Sequence, residues 1–99
     1  MPKYNLAGRT VVITGSTGGL GNALATALRA RGANLALLDL NQDLVDNQAA
    51  ELGSESVARG WQVDVRSLDS LQSAIDAAAA HFGRVDVVIA NAGIAPPAV

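Results

Sequence analysis

Apolar residues in this chain fall into short compact runs that alternate with longer stretches of mixed character. The run at 85–90 is nearly all apolar, as a strand buried on both faces should be. The run at 57–65 has the length of a strand but is interrupted by Gly60. The pattern predicts four strands, at 10–14, 34–39, 57–65 and 85–90.

The stretches between these runs place apolar residues three and four positions apart, which is the spacing of one helix face. The first helix is predicted over 20–31, just before Gly32. The second is predicted over Gln42–Leu52, with Asn41 as its N-cap and Gly53 at its end. The apolar face of the first helix is expected to comprise Leu20, Leu24, Ala27 and Leu28.

A third helix is predicted between the N-cap Ser67 and the terminating Gly83. Its apolar face is expected to comprise Leu68, Leu71, Ile75, Ala78 and Phe82. Strands and helices therefore alternate along the whole chain, which implies a parallel sheet with right-handed crossovers. The predicted fold class is α/β, a doubly wound parallel sheet whose first four strands lie in the order 3-2-1-4. Ligands of such sheets bind beyond the carboxyl ends of the strands that flank the reversal of winding, here the first and the fourth.

The turn between the first strand and the first helix is rich in glycine and reads TGSTGGLG from Thr14 to Gly21. Glycine adopts positive φ at little cost, and the absence of a side chain lets a pyrophosphate approach the backbone. The helix that follows directs free N–H groups and the positive end of its dipole at an anion. The place of the glycine turn between a strand and a helix favours a dinucleotide site. The alternative is a tight turn that binds nothing.

Two aspartates end the second and third strands. Asp39 lies close to the spacing after the glycine turn at which a carboxylate accepts hydrogen bonds from the adenosine ribose. The same carboxylate would repel the additional phosphate of NADP, so NAD is the predicted cofactor. Asp64 would accept a hydrogen bond from the exocyclic amine of adenine. The alternatives are an Asp39 that merely ends its strand and an Asp64 that is solvated or caps the next helix.

Composition narrows the class of protein. In its 99 residues, 49% are hydrophobic and 16% are charged, which is typical of a globular protein. A net charge of −2 favours neither nucleic acid nor an anionic membrane as a partner. Because the chain has no cysteine, it has no disulfide, no thiolate nucleophile and no cysteine-based metal site. Neither a signal peptide nor a membrane-spanning helix is recognisable, so we expect a soluble, cytoplasmic protein.

These motifs together resemble the amino-terminal part of a classical short-chain dehydrogenase/reductase, over nearly the whole chain. The motifs are the glycine turn, Asp39, Asp64-Val65 and the sequence ANAG at 90–93. The glycine turn fits both the TGxxxGxG pattern of the classical group and the TGxxGxxG pattern of the extended group. The sequence NAG favours the classical group, although the family usually has asparagine where this chain has Ala90.

The resemblance implies a Rossmann fold, a nicotinamide dinucleotide as partner, and hydride transfer between NAD and a small-molecule alcohol or ketone. It also implies which residues bind the cofactor. They are Gly15, Ser16, Thr17, Gly19, Leu20, Gly21, Asp39, Asp64, Val65, Asn91, Ala92, Gly93 and Ile94.

The catalytic serine and the Tyr-x-x-x-Lys pair of this family are expected beyond Val99. Tyr4 is the only tyrosine in the chain and no lysine follows it at that spacing. We therefore predict no catalytic residue and no metal site in residues 1–99, which would form the amino-terminal, dinucleotide-binding portion of a single domain. The full-length protein is expected to be a homo-oligomer, dimer or tetramer, assembled through its carboxyl-terminal part. The alternative to an enzyme is a non-catalytic, dinucleotide-binding sensor or regulator on the same scaffold.

Overall fold

The computed structural model describes residues 5–91, which form a four-stranded sheet and three helices. The elements in chain order are β1 (Thr10–Thr14), α1 (Gly19–Ala30), β2 (Asn34–Asp39), α2 (Gln42–Leu52), β3 (Ala58–Gln62), α3 (Leu68–Phe82) and β4 (Val87–Ala90). All neighbouring strands are parallel and lie in the order β3-β2-β1-β4. The predicted doubly wound α/β fold and its strand order are confirmed. None of the helices within residues 5–91 is long and apolar enough to cross a membrane.

The register of the sheet brings three chain segments to one edge. Thr14, at the end of β1, is paired with Leu38 of β2 and with Ala90 of β4. The glycine turn, Asp39 and Asn91 therefore all begin at the same level, beyond the carboxyl ends of adjacent parallel strands. This is the edge at which ligands bind to doubly wound sheets.

The core consists of two hydrophobic clusters, one on each face of the sheet. On one face, Val11 and Ile13 of β1 pack with Ala25 of α1 and with Val45 and Ala49 of α2. On the other face, the core cluster comprises Val12, Ala36, Leu38, Val63, Ala74 and Ala78, the last two from α3. Because both faces are covered, β1 is buried along its whole length.

The predicted face of α1 is wrong at Leu20 and Ala27, which are exposed, and the predicted face of α3 is wrong at its first residue, Leu68. Leu20 and Leu68 expose 63% and 79% of their surface, and the residues of α1 that are buried are Gly21 and Ala25. Both leucines lie in the first turn of a helix. We attribute their exposure to that position, where the helix begins beyond the end of the sheet it packs on.

Two predicted strands are shorter than the sequence pattern suggested. β3 ends at Gln62 because its neighbour β2 ends at Asp39, which is the last residue paired with it. Gly60 does not interrupt β3; instead, a Cβ there would lie 2.9 Å from the side chain of Val45, so glycine permits α2 to pack on the strand. β4 begins at Val87 and is not buried on both faces, because it is the edge strand of the sheet that residues 5–91 form.

Candidate functional site

The glycine turn leads directly into an α1 terminus that has no side-chain cap. Gly15 adopts a φ of +64°, and the N–H of Gly18 donates to the Gly15 carbonyl at 3.3 Å. Gly18 is the N-cap, has no side chain to cap with, and is followed by no acidic residue in the first turn. The first N–H groups of a helix have no intrahelical acceptor, and within residues 5–91 no side chain takes that role. This terminus is therefore suited to an anion.

Gly21 is required by close packing, whereas Gly19 is not. A Cβ on Gly21 would overlap the carbonyl oxygen of Gly15 and would lie 2.9 Å from Ser16 Cα. A Cβ on Gly19 would meet no atom of the described residues within 4 Å. The absence of a side chain at Gly19 thus leaves open space in front of α1, where an incoming group can approach the backbone.

Asp39 is held against the glycine turn by Thr17. Its Oδ2 accepts from the Thr17 hydroxyl at 2.5 Å and from the Thr17 N–H at 3.0 Å, while Oδ1 accepts from the Leu40 N–H at 2.8 Å. Burial raises the pKa of Asp39, but these three donors outweigh it and hold the pKa below its ordinary value of 3.8. Asp39 is therefore a carboxylate at neutral pH, with a defined orientation beside the turn.

Asn91 joins the end of β4 to the same turn. Its Nδ2 donates to the Gly15 carbonyl at 3.1 Å, across 76 positions of the sequence. The structure therefore brings Asn91, on the β4 side of this edge of the sheet, to the glycine turn. The other residues predicted on this side, Ala92, Gly93 and Ile94, lie outside the described residues.

Asp64 has a partner that its predicted role did not include. Oδ1 accepts from the N–H and Nε of Arg66, and Oδ2 accepts from Nη2, each at 3.0 Å. The side-chain hydrogen bond from Arg66 lowers the pKa of Asp64. Val65 is half-buried and packs against the core cluster on the α3 face. An adenine amine would have to share the carboxylate of Asp64 with Arg66.

Comparison with known proteins places this geometry in a family. The family model described as short chain dehydrogenase matches residues 9–99. A D-threitol dehydrogenase from Mycolicibacterium smegmatis is 41% identical over 93 residues, which cover 93% of this chain and 36% of the relative. The 11-beta-hydroxysteroid dehydrogenase-like protein 6 of Arabidopsis thaliana is 42% identical over 94 residues, covering 93% and 28%. The chain thus spans about a third of the length of these relatives.

Two crystal structures from Brucella melitensis share the fold. A short-chain dehydrogenase/reductase described as a glucose/ribitol dehydrogenase superposes with a TM-score of 0.88 at 37% identity, over 96% of this chain and 40% of that one. A 3-ketoacyl-(acyl-carrier-protein) reductase in complex with NADH gives a TM-score of 0.79 at 27% identity, over 85% and 34%. The chain belongs to the short-chain dehydrogenase family. This confirms the family that the sequence motifs indicated.

In this short-chain dehydrogenase chain, the sequence analysis missed Gln48. Its Nε2 donates to the carbonyl of Ser16 at 2.7 Å and to Oδ1 of Asn22 at 3.0 Å. The signal was present, because Gln48 lies in the buried stripe of α2 between Val45 and Ala49. A glutamine at a position where the helix buries apolar side chains indicates a specific hydrogen-bond partner.

The structure also contains a cavity that the sequence analysis did not predict. A cavity of about 630 Å³ lies between α2 and β3 and is lined by residues such as Asp46, Arg59 and Trp61, none of which was predicted to bind the cofactor. Within the part of the chain that the structure describes, no group of three His, Cys, Asp or Glu side chains could hold a metal ion.

Proposed function

We propose that this chain supplies the dinucleotide site of an NAD-dependent dehydrogenase or reductase. The observation that carries the proposal is the Asp39 carboxylate, oriented by Thr17 next to the uncapped amino end of α1. An anion-binding helix terminus and a ribose-binding carboxylate on one edge of the sheet are the two parts that a dinucleotide requires.

The residues that would hold NAD follow from the geometry of the turn. The free N–H groups at the start of α1 would bind the pyrophosphate, which the open space at Gly19 allows to approach. Asp39 would accept hydrogen bonds from the ribose hydroxyls. Leu20 and Leu40 expose 63% and 59% of their surface beside these groups, so apolar contacts to the rings are available. When bound, NAD supplies hydride transfer to or from a carbonyl or alcohol carbon.

Charge favours NAD over NADP at Asp39. The hydrogen bonds from Thr17 and Leu40 keep the carboxylate ionised, and no ion pair within residues 5–91 neutralises it. At an effective dielectric constant of about 20, two unit charges 4 Å apart repel by about 4 kcal/mol. The 2′-phosphate of NADP would experience a repulsion of this order, reduced by salt and relaxation.

The relatives support the part of this proposal that concerns the class of reaction and the use of a nicotinamide cofactor. One curated relative is a D-threitol dehydrogenase and one structural neighbour is a reductase in complex with NADH. A small-molecule alcohol or ketone as substrate is consistent with both. The remaining cofactor contacts, the assignment of the chain as the amino-terminal portion of one domain, the cytoplasmic location and the homo-oligomeric state stay predictions.

The test compares both dinucleotides on the intact protein and on a variant with Asp39→Ser and Leu40→Arg. The wild type should bind NADH at least tenfold more tightly than NADPH by fluorescence titration at one salt concentration. The double variant should reverse this order, because the repulsion is removed and a phosphate partner is added.

A matched control makes the same two types of substitution, aspartate to serine and leucine to arginine, at a place away from the glycine turn. Leu68→Arg with Asp69→Ser alters two adjacent residues at the start of α3, where Leu68 is 79% exposed. This variant should keep the wild-type preference. A wild type that binds NADPH as tightly as NADH would show that Asp39 does not select the cofactor.

A further inference from the structure

Gln48 occupies a buried position that packing alone does not explain. It is 7% exposed and lies on α2 between Val45 and Ala49, which both belong to the core cluster under α1 and α2. An apolar side chain would fill such a position without desolvating an amide. A glutamine is favourable there only if its amide makes hydrogen bonds, and here Nε2 makes them, since Oε1 is buried without a partner among the described residues.

The amide of Gln48 ties the glycine turn to the first turn of α1. Its Nε2 donates to two acceptors, the Ser16 carbonyl at 2.7 Å and Asn22 Oδ1 at 3.0 Å. A backbone carbonyl can only accept, so chemistry fixes which end of the Gln48 amide faces Ser16. One side chain thus contacts the turn before α1 and the fourth residue within it.

Ser16 is held from two sides through its own backbone. Its N–H donates to the Leu38 carbonyl of β2 at 3.3 Å, and its carbonyl accepts from Gln48. Ser16 is fully buried, so removal of the Gln48 donor would leave its carbonyl without that partner in a site that water does not reach freely. The peptide plane that follows Ser16 carries the N–H of Thr17, which donates to Asp39.

We propose that Gln48 is a positioning residue for the dinucleotide: its amide fixes the Ser16 carbonyl and Asn22, and thereby the orientation of the N–H groups that face the pyrophosphate and Asp39. The inference rests on the proposed function and goes beyond it, because it assigns a specific role to a residue on α2, outside the glycine turn and the ends of the strands. The amide acts through hydrogen-bond donation, so a side chain of the same shape that only accepts must fail.

Gln48→Glu makes this change, since it retains the shape and replaces the donor with a carboxylate. Opposite the Ser16 carbonyl, this carboxylate is repulsive when ionised and can donate once it is protonated. A depression of about 250 Å³ lined by Thr17, Asn22, Leu44, Asn47, Gln48 and Glu51 borders the side chain at position 48, so a proton can reach the introduced carboxyl group although Ser16 itself is buried. Burial raises the pKa of a carboxyl group, which brings its protonation into an accessible range of pH.

The control is Asn47→Asp, which introduces the same charge on the adjacent, exposed residue of α2. It also controls for the titration of an added carboxyl near Glu51 and Asp39. Affinity for NADH is measured on the intact proteins at about pH 8 and about pH 5. Amide hydrogen exchange of residues 16–22 is measured without ligand.

At the higher pH, Gln48→Glu should bind NADH about tenfold more weakly than the control and should exchange the amides of the turn faster. At the lower pH, its affinity should return to within about threefold of the control. A loss of affinity that is equal at both pH values, or an affinity equal to that of the control, would overturn the proposal. If the wild type bound no dinucleotide, the proposed function would fail by itself, and the exchange comparison would still decide whether Gln48 holds the turn.

Discussion

Substitution of Gly21 by alanine tests whether close packing or ligand approach sets the need for glycine in the turn. The added Cβ would overlap the Gly15 carbonyl oxygen and would lie 2.9 Å from Ser16 Cα and 3.1 Å from Asn91 Nδ2. An ordinary contact begins near 3.4 Å, so α1 must retreat from Ser16 by about 0.5 Å, and further from Gly15. The atoms in the way belong mostly to the backbone and cannot rotate aside.

The cost follows from this overlap. Overpacking of a well-packed site costs about 1–3 kcal/mol, and two backbone contacts under 3.0 Å place this site in the upper part of that range, about 2–3 kcal/mol. Alanine regains up to about 1 kcal/mol over glycine within a helix. The net loss of unfolding free energy should be about 1–2 kcal/mol, or about 2–8 °C in melting temperature for an intact domain of roughly 150–250 residues. The shift also strains the 3.1 Å hydrogen bond from Asn91 to Gly15, so NADH affinity should fall as well.

Gly19→Ala is the matched control, because its Cβ meets no atom of residues 5–91 within 4 Å. This variant should melt within about 2 °C of the wild type, yet bind NADH at least tenfold more weakly, since the new methyl group occupies the approach to the helix terminus. Differential scanning calorimetry and fluorescence titration on the same samples separate the two effects. A Gly21→Ala protein that melts like the wild type, or a Gly19→Ala protein that keeps full affinity, would refute the reasoning.

Acid should destabilise the protein through Asp86, whose pKa is lowered from 3.8 to about 2, chiefly by the side-chain hydrogen bond from Arg84. Its stabilising contribution is complete above pH 3.8 and is lost as pH falls through about 2, so urea unfolding between about pH 5 and about pH 2 should show a decline that is smaller in Asp86→Asn, in which only the other carboxylates with lowered pKa values, such as Asp39 and Asp64, still titrate. Thr17→Val removes the hydroxyl that orients Asp39 and should weaken NADH binding about tenfold by titration calorimetry, whereas Thr26→Val, on the exposed side of α1, should not. Residues 1–99 on their own should self-associate through the half-exposed valines of β4, and a monodisperse monomer in size-exclusion chromatography would contradict this.

The elements that local signals determine were predictable from the sequence. α2 begins after Asn41, whose side chain accepts from the Leu44 N–H, and the residue after its last is Gly53, whose φ of +151° favours glycine. Ser67 caps α3 in the same way. Because these caps act over three or four residues, the alternation of strands and helices, and with it the strand order, could be inferred without any contact information.

Features that depend on a neighbouring element were not predictable in this way. The length of β3 is set by where β2 ends, and the exposure of Leu68 by where α3 begins relative to the sheet. The contact between Gln48 and Ser16 spans 32 positions, and no spacing rule connects a helix residue to a turn so far away. The contact of Asp64 was missed for a different reason. Its partner Arg66 is only two residues away, but such a pair produces no periodic pattern in the sequence.

The most direct test of the dinucleotide site is a map of backbone amide chemical shifts of the intact protein during titration with NADH. The largest changes should fall on residues 15–21, on Asp39 and Leu40, and on Asn91, because these groups surround the edge where β1, β2 and β4 end. Changes that are instead confined to residues lining the cavity between α2 and β3, such as Arg59 and Trp61, would contradict the assignment of the site, as would the absence of any change.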